Sequence, residues 1–175
     1  MKFMHWDAPW GKWVVLAFVL VFLAGVVRQC RAAEVAVMGG VATGSDVNVF
    51  NGNNNAGVGE IAITTDNRHW ELALGFIGNQ YTHKSYETVA NYSYLTGLYV
   101  ATLPLGNVTP FIGLGASWRS NSRHVDELLP SALNFSLAMG VDLFEHWRIE
   151  ARHFSNSGTR EPNRGQNMLL AGYRF

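Results

Sequence analysis

The sequence has little charge and almost no cysteine. Charged residues make up 15% of the 175 positions, and the formal net charge is zero, whereas about 25% is usual in soluble domains. This composition argues against a disordered chain and against a charged helical bundle. No basic stripe is present, so nucleic acid is not an expected partner. Cys30 is the only cysteine, which excludes a disulfide framework and a zinc site built on cysteines.

Metal-ligand patterns are missing as well. The histidines are scattered along the chain without the spacing of metal ligands, so we expect no metal and no other cofactor. The length suits a single domain.

The longest apolar run lies near the start of the chain, from Trp13 to Val27. Lysines precede this run and Cys30-Arg31-Ala32 follows it, which is the arrangement of a secretory signal with its cleavage site. We therefore expect residues 1–32 to be a cleaved signal peptide and 33–175 to be the folded domain. The run is shorter than the roughly 20 residues of a spanning helix, and the alternative is an uncleaved anchor.

Beyond residue 33 the apolar residues recur at every second position rather than with a helical period. The clearest run is Leu133 to Leu143, in which large apolar residues alternate with small or polar ones. One face of such a strand is bulky and apolar, and the other is small and polar. Eight segments are predicted as strands in this way: 35–43, 56–65, 70–79, 91–103, 108–119, 133–143, 147–156 and 167–175.

The gaps between these strands alternate between tight turns and long polar loops. The turns are 66–69, 104–107 and 144–146, and the loops are 44–55, 80–90, 120–132 and 157–166. This alternation is typical of a barrel in the bacterial outer membrane. We predict an all-β fold, an eight-stranded antiparallel up-and-down outer-membrane β-barrel with small residues inside. The alternative is a soluble periplasmic barrel or sandwich, because period 2 does not say which face points inward.

Charged residues indicate which side of the seventh predicted strand faces the interior. Arg148, Glu150 and Arg152 share one face, and a charged set must point into the barrel. Glu60, Glu71 and Asp142 also fall on interior faces, so we expect them to form a buried ion network with the first set.

The opposite face of that strand carries the candidate chemistry. Alternation places His153 and Ser155 on the lipid-facing side, where unpaired polar groups cost free energy and are functional by default. A histidine can take the proton of a serine hydroxyl, which makes His153 a candidate base and Ser155 a candidate nucleophile. Asn167, on the same side of the last strand, is placed to hold the imidazole tautomer.

At this point the sequence resembles a known family. His153 to Gly158, followed by Pro162-Asn163-Arg164-Gly165 and a terminal Tyr-Arg-Phe, is similar to the carboxy-terminal hairpin of the lipid A 3-O-deacylases (PagL-type). The resemblance implies an outer-membrane barrel that hydrolyses the ester-linked acyl chain at the 3 position of lipid A. Its implied partners are lipid A and outer-membrane lipids, and its catalytic groups lie on the outer wall.

Residue by residue, the resemblance makes His153 the general base and Ser155 the nucleophile, and it matches Asn156 to a residue that helps the oxyanion hole. One position departs from the family, because Asn167 stands where the best-known members have a glutamate as the acid. Changing the acid of a serine triad to its amide can lower the rate about 10⁴-fold. Glu161 in the preceding loop is the candidate substitute acid, and the alternative is a solvated loop charge.

Four arginines beside the long loops are candidates for contacts with lipid A phosphates, because Arg binds phosphate bidentately. They are Arg119, Arg123, Arg160 and Arg164, and the alternative is a solvated loop surface. The alternative function is a non-catalytic small barrel for adhesion or membrane integrity. The sequence leaves the preferred acyl chain open, as well as the choice between a monomer and a homodimer.

Overall fold

The computed structural model of the chain describes residues 33–44, 55–65, 67–81, 88–89, 91–120, 129–156 and 165–175. The expected signal peptide and most of the four long loops lie outside these residues. Among the described residues, no helix is long and apolar enough to cross a membrane.

The described residues form ten β-strands. These are β1 (Glu34–Gly44), β2 (Ala56–Thr64), β3 (Trp70–Ile77), β4 (Gln80–Tyr81), β5 (Thr88–Val89), β6 (Tyr92–Thr102), β7 (Val108–Arg119), β8 (Leu133–Leu143), β9 (Trp147–Ser155) and β10 (Gln166–Arg174). Eight of them close into one barrel in the order β1-β10-β9-β8-β7-β6-β3-β2. Every neighbouring pair in the barrel is antiparallel.

The eight barrel strands are the eight segments predicted from alternation, with ends that differ by at most two residues. The fold class is therefore confirmed. The prediction missed β4 and β5, which pair with each other inside the segment expected to be a loop. Two-residue strands are too short for a period of two to show in the sequence.

The bulky apolar face of each strand points out of the barrel. Leu74 is 60% exposed, whereas its neighbour Ala73 is fully buried, and the same contrast separates Met139 from Ala138. A continuous exposed apolar belt is the surface that a membrane barrel presents to lipid. The soluble alternative is thereby excluded, because its bulky residues would face inward.

The barrel interior holds the predicted ion network. Arg148 donates to Asp142 at 2.8 Å and also to Glu71, and Arg152 donates to Glu60 at 2.7 Å and to Glu71 at 3.2 Å. All five side chains are buried. The arginines on β9 therefore reach carboxylates on β2 and β3, across the lumen from them.

Three further residues extend this network. Tyr94 donates to Glu60 at 2.6 Å, and Arg174 donates to Asp142 at 2.8 Å. Glu150 accepts from Arg152. The lumen at this level is thus occupied by paired side chains.

Aromatic residues gather at the tight-turn end of the barrel. The His69 ring stacks on Tyr99 at 5.8 Å, and Trp70 meets the same tyrosine edge-on at 5.2 Å. On the opposite side of the barrel, His146 stacks on Tyr173 at 5.3 Å and Trp147 meets that ring edge-on at 5.3 Å. Trp and Tyr with this placement are typical of a membrane–water interface.

Candidate functional site

His153 and Ser155 lie on the outer wall, at the carboxy-terminal end of β9 and away from the tight turn that precedes the strand. Their neighbours Arg152 and Phe154 are buried inside the barrel, whereas His153 and Ser155 are half-buried on the outside. Residues two apart in a strand point the same way, with Cα atoms about 6.6 Å apart. The structure therefore places the two side chains where alternation put them.

Asn167 lies directly beside the histidine. It is the register partner of His153 across β9 and β10, and its Oδ1 atom is 2.7 Å from His153 Nδ1. An amide oxygen only accepts hydrogen bonds, so Nδ1 carries the proton of a neutral ring. The lone pair is then on Nε2, which is the nitrogen that must act as the base.

The outer wall around this pair is apolar. Phe135 is the register partner of Ser155, and Leu137 is the partner of His153 on the same side. Phe135 and Leu169 are large and exposed. A base and a hydroxyl on such a wall are the groups required to attack an ester in a lipid.

Asn156 follows β9 and is buried. Its position is one residue beyond Ser155, so alternation turns it towards the opposite side of the wall. The structure thus separates the Asn156 side chain from the outward face that His153 and Ser155 share.

Arg119 lies inside the barrel rather than on a loop surface. Its side chain is buried, and it donates to the carbonyls of Leu129 at 2.7 Å and Ser120 at 3.2 Å. This guanidinium ties the two ends of the third long loop together. Arg119 is therefore not on the solvated loop surface from which a phosphate contact is predicted.

The remaining predicted site residues lie outside the described part of the chain. They are Glu161, Arg123, Arg160 and Arg164. Within the described ranges, no three histidine, cysteine or carboxylate side chains gather as metal ligands.

Two residues beside the site received no role from the sequence. Gly165 precedes β10, and Gln166 is its first residue. Gln166 is fully buried and accepts a hydrogen bond of 3.1 Å from Tyr92. Gly165 belongs to the motif Pro162-Asn163-Arg164-Gly165, which was the one signal in the sequence that could have pointed to it. No sequence signal marks Gln166, because its partner Tyr92 is remote along the chain.

Comparison with known proteins gives one family. A family model described as lipid A 3-O-deacylase (PagL) matches residues 55–175, a range that includes β9, β10 and the site between them. A search of curated proteins found no match.

Several solved structures share the fold. Neisserial surface protein A (NspA) has a TM-score of 0.52 and 12% identity, covering 81% of this chain and 94% of that chain. The N-terminal β-barrel domain of Pseudomonas aeruginosa OprF has a TM-score of 0.50 and 16% identity, covering 81% and 97%. The outer-membrane enzyme PagL has a TM-score of 0.46 and 19% identity, covering 82% and 99%. At these identities the similarity concerns the barrel fold alone.

Proposed function

The chain belongs to the lipid A 3-O-deacylase (PagL) family, and on this premise we propose that it is an outer-membrane esterase acting on lipid A. The reaction is hydrolysis of the ester-linked acyl chain at the 3 position. The observation that carries the proposal is the 2.7 Å contact between His153 Nδ1 and Asn167 Oδ1. Polar groups on an apolar outer wall cost free energy, which favours a functional role for His153 and Ser155.

In the proposed reaction, Nε2 of His153 takes the proton of the Ser155 hydroxyl as Oγ attacks the acyl carbonyl carbon. The carbonyl oxygen becomes an oxyanion, and a backbone N–H at the end of β9, around Asn156, supplies the stabilising hydrogen bond. The C–O bond to the sugar then breaks, and His153 returns the proton to the sugar oxygen. Water, deprotonated by His153, then attacks the acyl carbon of the acyl-serine. The bond between that carbon and Ser155 Oγ breaks, His153 returns the proton to Oγ, and the fatty acid leaves.

Asn167 orients the base in this scheme but adds no charge. The acid-to-amide change in a serine triad is damaging mainly because the wrong tautomer results. Here the oxygen of the amide faces Nδ1, which is the orientation that leaves Nε2 free to accept a proton. The remaining deficit is the missing carboxylate beside the imidazolium. Glu161 is the candidate substitute for that charge, and the alternative is a solvated loop charge.

The position of the site fits a membrane lipid as substrate. His153 and Ser155 face outward at the end of β9 that leads into a long loop, and long loops are extracellular in outer-membrane barrels. A lipid of the outer leaflet can therefore reach the pair sideways. It need not enter the lumen, which the ion network occupies.

Mass spectrometry of lipid A incubated with the folded protein tests the proposal. We expect the wild type to remove one 3-linked acyl chain and Ser155→Ala to remove none. Ser93→Ala is the control, because Ser93 is another serine on the outer wall, exposed there, but lies on β6 away from His153. Acyl release that survives in Ser155→Ala would overturn the nucleophile assignment.

The presence of Asn167 in place of a carboxylate favours a second candidate, a non-catalytic barrel that keeps the hairpin motif. Its signature would be a folded wild type that leaves lipid A intact. Gain of acyl release in Asn167→Glu would then show that the dyad is present and lacks its acid.

A further inference from the structure

We infer that Gly165 is a positioning residue, whose missing side chain makes the space in which the His153 ring is held against Asn167. The inference deepens the proposed function and rests on it for its catalytic meaning. The contact itself is a property of the fold, and it can be measured without any substrate.

The His153 ring lies against the backbone of Gly165. A Cβ atom built on this glycine would lie 2.7 Å from Cε1 and 3.2 Å from Nε2 of the ring. It would also lie 2.8 Å from the carbonyl oxygen of Phe154. Carbon contacts under 3.0 Å essentially never occur in proteins, so any side chain at residue 165 must displace the ring or the strand.

Gly165 and Asn167, at the beginning of β10, thus contact two different edges of the imidazole ring. Asn167 Oδ1 faces Nδ1 at 2.7 Å, and Gly165 bounds the edge formed by Cε1 and Nε2. If the second edge is pushed away, the ring must rotate or shift. Either movement lengthens the bond to Asn167 or turns the basic Nε2 away from the orientation that the proposed reaction requires.

Backbone conformation alone does not explain a glycine at this position. Gly165 has a φ of 68°, but Glu145 has the same φ of 68° and carries a full side chain. Gly106 has a φ of 67°, and no atom lies within 4 Å of a Cβ built there. Gly106 and Gly165 therefore share a left-handed backbone conformation and differ in the presence of the His153 ring.

The start of β10 is also held from inside the barrel, so Gly165 cannot easily retreat. Gln166, between the two residues that touch His153, points inward and accepts from the Tyr92 hydroxyl at 3.1 Å. Tyr92 belongs to β6, which lies on the opposite side of the closed strand order from β10. The hydrogen bond spans the lumen and fixes the height of the strand start beside His153.

The test compares Gly165→Ala with Gly106→Ala. Both substitutions add a Cβ at a φ near +68°, but only the first adds it beside the ring. Folding is followed by heat-modifiable migration on a gel. Side-chain ¹⁵N NMR of His153 in detergent micelles reports its tautomer and its hydrogen bond to Asn167.

We expect Gly165→Ala to shift the His153 ¹⁵N signals and to lower kcat about 10²-fold, the scale of a misplacement near 1 Å. KM should change little, because the lipid contacts are untouched. Gly106→Ala should leave the His153 spectrum and kcat as in the wild type. A folded Gly165→Ala that keeps the wild-type His153 spectrum would overturn the inference.

A folding failure of Gly165→Ala is resolved by adding His153→Ala, which removes the ring. The double variant keeps the clash with the Phe154 carbonyl, so its folded yield is compared with that of Gly165→Ala. A higher yield in the double variant supports the steric contact with the ring, and an equal yield overturns the inference.

Failure of the proposed function gives a different result. If the folded wild type releases no acyl chain from lipid A, the esterase proposal is lost. The His153 spectrum and the double variant still decide the role of Gly165 in that case.

Discussion

His153 and Asn167 face each other directly in the β9–β10 register, and Nδ1 of the imidazole lies 2.7 Å from Oδ1 of the amide. The bond joins residues of two neighbouring strands on the outer wall of the barrel. The ion network lies on the inner side of that wall. The bond sets the ring tautomer that a base for Ser155 requires.

Asn167→Glu should raise the rate of acyl release. A carboxylate beside Nδ1 keeps the orientation of the ring and adds the charge that stabilises imidazolium during proton transfer. The gain should stay well below about 10⁴-fold, because the amide already holds the correct tautomer. Asn167→Leu should lower the rate, since it removes the acceptor. Mass spectrometry of lipid A over time measures all three proteins.

If Glu161 supplies the charge instead, the outcome reverses. Asn167→Glu should then change the rate little, and Glu161→Gln should lower it strongly.

His153→Ala and Ser155→Ala should each abolish acyl release, and the double variant should be no worse than either single one. Residues that act as one catalytic unit have strongly non-additive effects. Both side chains lie on the outer wall, so their loss should leave the folded yield unchanged on a heat-modifiability gel. Multiplying losses in the double variant would argue against a shared step.

Arg152→Met should destabilise the barrel by about 3–5 kcal/mol, because it leaves buried carboxylates without their partner. Arg152 pairs with Glu60 at 2.7 Å and Glu71 at 3.2 Å. The control is Arg68→Met, which removes an equally short pair of 2.8 Å whose side chains are each 29% exposed. Such a pair should contribute less than about 1 kcal/mol.

Urea unfolding in lipid vesicles measures the free energy of both variants. Equal losses in Arg152→Met and Arg68→Met would contradict the view that burial, rather than ion pairing itself, makes the network sensitive.

Phe175→Ala should reduce the yield of folded barrel in the outer membrane. The Phe175 ring packs edge-on against Tyr173 at 5.1 Å, and its backbone N–H donates to the Val35 carbonyl at 2.8 Å. The residue therefore sits at the seam where the last strand closes on the first. Phe144→Ala is the matched control, because Phe144 is an exposed phenylalanine in a tight turn away from this seam.

Heat-modifiable migration measures the folded fraction of each variant in membrane preparations. A folded yield of Phe175→Ala equal to that of Phe144→Ala would remove the role of the terminal aromatic in assembly.

The alternation of apolar residues in the sequence is enough to predict the eight barrel strands and the two faces of each one. In Leu133 to Leu143, for example, strict alternation left no other regular structure that could separate bulky from small residues. The same alternation put His153 and Ser155 together and apart from Arg152. These are local relationships, and the pleat of one strand is enough to fix them.

Contacts between residues of different strands could be seen only in the folded barrel. Closure of the barrel turned the bulky faces outward and brought Glu60 and Glu71 across the lumen to Arg152. It also drew Arg119 inside, where loop position had suggested the surface. The contact of Gly165 with His153 depends on the register of β10 against β9 and on the path of the chain into β10. Neither follows from the period of a single segment, because both are set by how neighbouring strands pair.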